Sequence, residues 1–337
     1  MRVPWKRWLA FFNRYTGKSE SQGHQPFRGG SRSLTTNQKA IECLENNDYD
    51  AALTLFQEAL NDSRDVQSLT NLAWIYYHEE DDVEAAIHLA QEAVALKPTS
   101  HFPYSLLGEL LVLTERWEEA VVVLSDSIAV EPSQEAYNNL AVAKYHLCEW
   151  EEASTLFLKS AGPSDYAMYS HVHCLIQLGQ TIEAKHKLDA FLESNDDFVG
   201  EVHVAELYLE LACFSEAVHW FEKSWNTYDK SPDWISRYIY ALVQTNAMER
   251  AVEIAEECIR LKQGDIEEAQ AEECDEDWTE SDKAAYLIGL QNEKKEYEYL
   301  IQKISQGYVP PFKFTTSLSS RCYLFGCSRH KYPEYRD

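Results

Sequence analysis

The sequence predicts an all-α protein, a right-handed superhelical solenoid of helix-turn-helix repeats, and three regularities predict it. Alanine recurs at Ala52, Ala86, Ala120, Ala153, Ala184, Ala217 and Ala251, at spacings of 34, 34, 33, 31, 33 and 34 residues. Twelve residues earlier stands a mostly small side chain, as at Ala40, Gly108, Ala141 and Ala205, with Ala73 fitting if one residue is inserted in HEEDDVEAA. Four and seven residues after the alanine come pairs such as Phe56/Ala59, Leu124/Ser127, Phe157/Ser160 and Phe221/Ser224. Small residues at fixed slots let two helix backbones approach, and the large ones fill the space alongside. The unit is therefore a helical hairpin, and a hairpin alone leaves an apolar face wet, so each must stack on its neighbours.

Composition fits an elongated array. The chain has 337 residues, 45% of them hydrophobic, with only 10 prolines and 12 glycines. Its net charge of −26 is uneven: +6 on residues 1–33, +3 on 313–337 and thus −35 between. A body of that charge repels phosphates, which excludes nucleic acid as its partner. Eight scattered cysteines without framework spacing read as reduced thiols, giving an expected cytoplasmic location. No run approaches the length of apolar sequence that crosses a bilayer.

The elements follow in order. In residues 1–18, Trp5, Trp8, Phe12 and Tyr15 share one face of a helix while Lys6, Arg7, Arg14 and Lys18 supply positive charge elsewhere. Three roles stay open for this segment: contact with a membrane surface, docking on a partner, or packing against the solenoid. Residues 19–33, rich in Gly, Ser and Gln, form a flexible linker. Residues 34–264 hold seven repeats. Pro98 and Pro132 stand just beyond second helices, where proline cannot continue them. Residues 265–282, with ten acids and no base, are expected as a solvated loop; no calcium-loop spacing is present. A capping helix is expected over 283–312, and a basic tail over 313–337. In that tail Cys322, Cys327 and His330 lack a fourth ligand for zinc, and no metal site is assigned.

The repeat resembles the tetratricopeptide repeat, most closely in NLAWIYY (71–77), LLGELLVLTERWEEAVVVLSDSIAVEP (106–132) and NNLAVAKYHLCEWEEASTLF (138–157). The fifth and seventh units depart from the pattern, with Val172 and Ile239 in the small slot. Trp117 and Trp150 sit at the turn into second helices, where a large ring covers the hairpin end. The resemblance implies that first helices line a concave groove. On that face stand Asn71, Trp74, Tyr77, Phe102, Asn138, Asn139, Tyr145, Tyr169, His173, Arg237 and Tyr240, with several acids. Such a lining suits an extended or helical peptide, basic residues included. An asparagine both donates to and accepts from a peptide backbone, so Asn71 and Asn139 are candidates for fixing its register. The family's clamp for C-terminal carboxylates is absent, because Asn37, Ile41, Phe102 and Leu106 occupy its positions.

No nucleotide loop, nucleophile elbow or metalloprotease motif is present, and helical geometry turns His171 away from His173. The expectation is a non-catalytic adaptor without cofactor, binding a protein or peptide partner. The alternative is a signalling regulator whose repeats change shape on binding a peptide. The sequence leaves oligomeric state open.

Overall fold

The computed structural model describes residues 34–161, 165–191, 198–275 and 278–327. The N-terminal face of Trp5, Trp8, Phe12 and Tyr15 lies outside them, as does His330. The described residues form fifteen helices and no strand. Fourteen pair as seven hairpins: α1 (Thr36–Glu45) with α2 (Tyr49–Asp62), α3 (Val66–His78) with α4 (Val83–Ala95), and α5 (Phe102–Leu113) with α6 (Trp117–Val130). Then come α7 (Gln134–His146) with α8 (Trp150–Ser160), α9 (Asp165–Gln177) with α10 (Thr181–Leu188), α11 (Glu201–Glu210) with α12 (Phe214–Ser224), and α13 (Pro232–Gln244) with α14 (Met248–Ala271). The last helix is α15 (Glu280–Ser305). The architecture is an all-α repeat solenoid.

The recurring alanines explain the hairpins. All seven, from Ala52 to Ala251, have 0% exposure, so each marks the contact between paired helices. Phe56, Leu124, Phe157 and Phe221, one turn later, are equally buried and fill the seam. Gly108 shows how tight the seam is: a Cβ there would lie 2.4 Å from the Leu124 side chain. Val172 and Ile239, in the same slot of the fifth and seventh hairpins, are also fully buried.

The turns repeat with the same period as the alanines. Asn47, Asp81, Glu115, Cys148, Ala212 and Asn246 adopt positive φ of 55° to 63°, and Gly179 takes the equivalent place at 72°. Each stands five residues before its alanine, so one left-handed residue reverses the chain in every hairpin. Only glycine does this without steric cost. Trp117, the first residue of α6, stacks on His146 at 4.1 Å and 5°, joining the third hairpin to the fourth.

The chain divides into two compact units. The first holds α1–α8 together with the segment from Ser317 onward, and the second holds α9–α15 with the chain as far as Thr316. In the second unit α15 packs against α13 and α14, and Tyr297, Leu300 and Ile304 join its core.

The acidic run differs from its expected form. Residues 265–271 belong to α14, because Ile266 and Ala269 pack with Leu290 of α15 and give the run an apolar side. The expected capping helix starts earlier and stops sooner: a Thr279 capping box opens it, and it ends at Ser305, followed by Gly307 at positive φ. From Tyr308 to Leu324 the chain has no helix.

Candidate peptide groove

Non-helical residues after α15 have a pattern of their own. Phe312, Phe314 and Thr316 are half-buried while Pro311, Lys313, Thr315 and Ser317 are exposed, which is the period-two alternation of extended chain. Within each unit this segment lies against residues that the sequence placed on the groove face.

In the first unit the contacts are chiefly backbone to asparagine. Asn139 Nδ2 donates to the Ser319 carbonyl at 2.8 Å, and its Oδ1 accepts from the Ser319 amide at 2.9 Å. Asn138 donates to the Ser317 carbonyl at 2.8 Å. Two repeats earlier, Asn71 Nδ2 donates to the Phe325 carbonyl at 3.1 Å while its Oδ1 accepts from the Phe325 amide at 2.8 Å. Asn71 is itself oriented from α1, since its Nδ2 also reaches Asn37 Oδ1 at 3.3 Å and Asn37 donates to Ser68 at 2.9 Å. Both asparagines are buried, and each spends its side-chain amide on the backbone of this segment.

Between these two clamps the third hairpin supplies an apolar seat. Phe102 meets Tyr323 edge-on at 5.5 Å and Phe325 at 5.2 Å. The alternate residues Tyr323 and Phe325 thus bracket one ring. Trp74 is buried with its ring 4.3 Å from His78, and burial holds the His78 imidazole neutral, its pKa near 3.

Glu109 is the unexpected member. It is wholly buried on α5, and neither carboxylate oxygen completes a hydrogen bond of ordinary geometry. Burial pushes its pKa up to about 8, opposed by the Ser320 and Tyr77 hydroxyls and reinforced by the charge of Glu135. Arg321, the cation beside Ser320, turns instead to Glu135 at 3.8 Å.

In the second unit rings and one guanidinium replace the asparagines. His173 stacks flat on Phe314 at 3.8 Å and 5°, and Tyr169 packs on the same ring at 5.1 Å. Burial lowers the His173 pKa to about 4. Arg237 donates to the Pro310 carbonyl at 3.3 Å, lies 4.5 Å from the Phe312 ring centre and donates to Glu210 at 2.8 Å. Glu206 Oε1 stands 3.9 Å from the same guanidinium; burial raises its pKa to about 7 in spite of that charge.

Tyr77, half-buried, reaches Glu109. Tyr145 and Tyr240 are half-buried too, with rings against His146 at 5.5 Å and Phe214 at 6.1 Å. Sequence reasoning did not anticipate residues 310–316 against the second unit's face or 317–327 against the first unit's, nor Glu109 as a central group. The available signal was the spacing of Phe312 with Phe314 and of Tyr323 with Phe325.

Among the described residues no group of His, Cys, Asp and Glu is arranged to hold a metal ion, and no helix is long and apolar enough to cross a membrane.

Residues 38–101 match the tetratricopeptide repeat family model. Among solved structures, the MamA AMB-1 structure is similar at 20% identity and a TM-score of 0.42, covering 46% of this chain and 95% of that one. PilW, described as a widely conserved type IV pilus biogenesis factor, is similar at 16% identity and a TM-score of 0.49 over 59% of this chain and 97% of its own. TTC0263, a thermophilic TPR protein in Thermus thermophilus, is 23% identical with a TM-score of 0.34, covering 62% and 97% of the two chains. No curated protein matches the sequence significantly.

Proposed function

We propose, from the premise that the chain is a tetratricopeptide-repeat protein whose first two hairpins match the family model, that it is a non-catalytic interaction scaffold holding an extended peptide in its groove. One observation carries this reading: Asn71 and Asn139 each exchange two hydrogen bonds with a single residue of a non-helical segment. Backbone pairing of this kind fixes register without demanding sequence. Phe102, with Tyr77 and Trp74 nearby on the same face, adds selection for aromatic residues. A cytoplasmic setting belongs to this reading, supported by eight cysteines scattered without framework spacing. The N-terminal segment remains a candidate for peripheral membrane or partner contact.

The test uses the full chain with Tyr323→Ser and Phe325→Ser, which weakens the hold of its own segment. A labelled peptide of residues 316–327 binds this protein in fluorescence anisotropy, and adding Asn71→Ala with Asn139→Ala weakens it more than about tenfold, as loss of several buried hydrogen bonds requires. Binding indifferent to the asparagines refutes the groove. The regulator reading differs from the scaffold reading in requiring the segment to leave the groove when a ligand binds. It requires ligand-dependent hydrogen exchange at residues 317–327.

A further inference from the structure

Glu109 is an odd group to find beneath a resident peptide. Its carboxylate has 0% exposure, and both oxygens lack hydrogen-bond partners of ordinary geometry. Residues facing it supply no positive charge: Tyr77 comes from α3, Ser320 and Tyr323 from the segment, and Glu135 from α7. The Ser320 Oγ and Tyr323 OH are themselves buried without completed hydrogen bonds. Elsewhere the segment fits closely, with both asparagine clamps satisfied and Phe102 bracketed. Within residues 317–327 the unsatisfied oxygens, Ser320 Oγ and Tyr323 OH, both belong to residues that face Glu109.

A buried carboxylate without a cation is costly, and it avoids that cost by keeping its proton. An ammonium or guanidinium in the place of the Ser320 hydroxyl would satisfy both oxygens by charge-assisted hydrogen bonds. The backbone clamps at Asn71 and Asn139 would be unaffected, since they read only main-chain atoms. A surrounding body of strongly negative charge would favour approach of such a segment.

Resting on the peptide-groove reading above, we infer that residues 317–327 are a replaceable resident ligand, and that the partner displacing them is an extended segment with Lys or Arg facing Glu109 and aromatic residues over Phe102. The resident segment owes its occupancy to being tethered, which gives it a high effective concentration in spite of one poor contact. A free partner compensates for lacking the tether by pairing with the carboxylate.

Two peptides decide the matter: residues 316–327 as they stand, and the same peptide with Ser320→Lys. Each is titrated against the full chain carrying Tyr323→Ser and Phe325→Ser, with and without Glu109→Gln. The lysine peptide binds about tenfold tighter at pH 7, as expected for a hydrogen-bonded charge pair, and Glu109→Gln removes that advantage. Raising the pH from 6 to 8 weakens the parent peptide but not the lysine peptide. If the parent binds and lysine adds nothing, or the advantage survives Glu109→Gln, the inference fails while the groove stands. If neither peptide binds to protein that melts normally, both fail. Should the serine variant not fold, hydrogen exchange at residues 317–327 answers in the otherwise native chain: Ser320→Lys slows it, Glu109→Gln reverses the slowing, and unchanged exchange overturns the inference.

Discussion

Asn139 and Ser319, 180 residues apart in sequence, close a two-bond ring: the amide nitrogen donates to the Ser319 carbonyl at 2.8 Å and the amide oxygen accepts from its N–H at 2.9 Å. Asn71 repeats the ring on Phe325, 254 residues away. The two rings tie the C-terminal segment to α7 and α3, and their removal is the direct probe of how firmly it is held.

Asn71→Ala and Asn139→Ala each delete two buried hydrogen bonds, worth about 1 kcal/mol apiece. Either change should raise the population with the segment undocked by roughly thirtyfold, since about 2 kcal/mol corresponds to that ratio. Tryptic cleavage after the exposed Arg321 reads this directly. A rate unchanged from wild type would show that the rings contribute nothing.

Docking should weaken as pH rises. With the segment in place burial raises the Glu109 pKa from 4.5 to about 8, so the docked state holds an extra proton. The stabilisation is complete below about 4.5 and is lost progressively up to about 8, approaching tenfold per pH unit in between. His173, lowered to about 4, acts oppositely and only at acid pH, because its stabilisation is lost as pH falls below its ordinary 6.5. Hydrogen exchange of residues 317–327 between pH 6.5 and 8.5, corrected for intrinsic rates, should speed up in the wild type and stay flat in Glu109→Gln.

Glycine has opposite effects at two positions. Gly108→Ala places a Cβ 2.4 Å from buried Leu124, an overpacking that costs about 1–3 kcal/mol. Gly264→Ala, inside α14 with nothing within 4 Å of the new Cβ, should stabilise by up to about 1 kcal/mol through helix propensity. Thermal unfolding of the pair should move in opposite directions. A Gly108→Ala protein as stable as wild type would mean that the α5–α6 seam is looser than its geometry.

The turns offer a converse test. Glu115 is exposed and adopts φ of 59°, a conformation that costs an ordinary residue roughly 1 kcal/mol. Glu115→Gly should raise stability by a few tenths to about 1 kcal/mol, the gain being reduced by glycine's greater freedom when unfolded. Gly179→Ala, at φ of 72°, should lower it by a similar amount. Denaturant midpoints with unchanged slope would record both.

Much of this protein was legible without coordinates. The alanine period marked the seam of every hairpin, since close approach of two neighbouring helices must be written in residues a few turns apart. The expectation that Asn71, Asn139 and Phe102 face a groove came from the resemblance to the tetratricopeptide repeat, with the period supplying their slots. Legibility ended at the acidic run, where Ile266 and Ala269 found Leu290 and turned an expected loop into helix.

What fills the groove was decided by tertiary structure alone. The clamps on Ser319 and Phe325 grip backbone atoms, which every residue except proline offers alike, so no side chain in the tail announces the pairing. Glu109 likewise reads in sequence as one acid among 56 Asp and Glu, and the burial that pushes its pKa up to about 8 belongs to the folded chain. Local spacing determined the repeats because their contacts are local. The occupant of the groove is set by chain atoms far away in sequence, and that information exists only once the chain has folded.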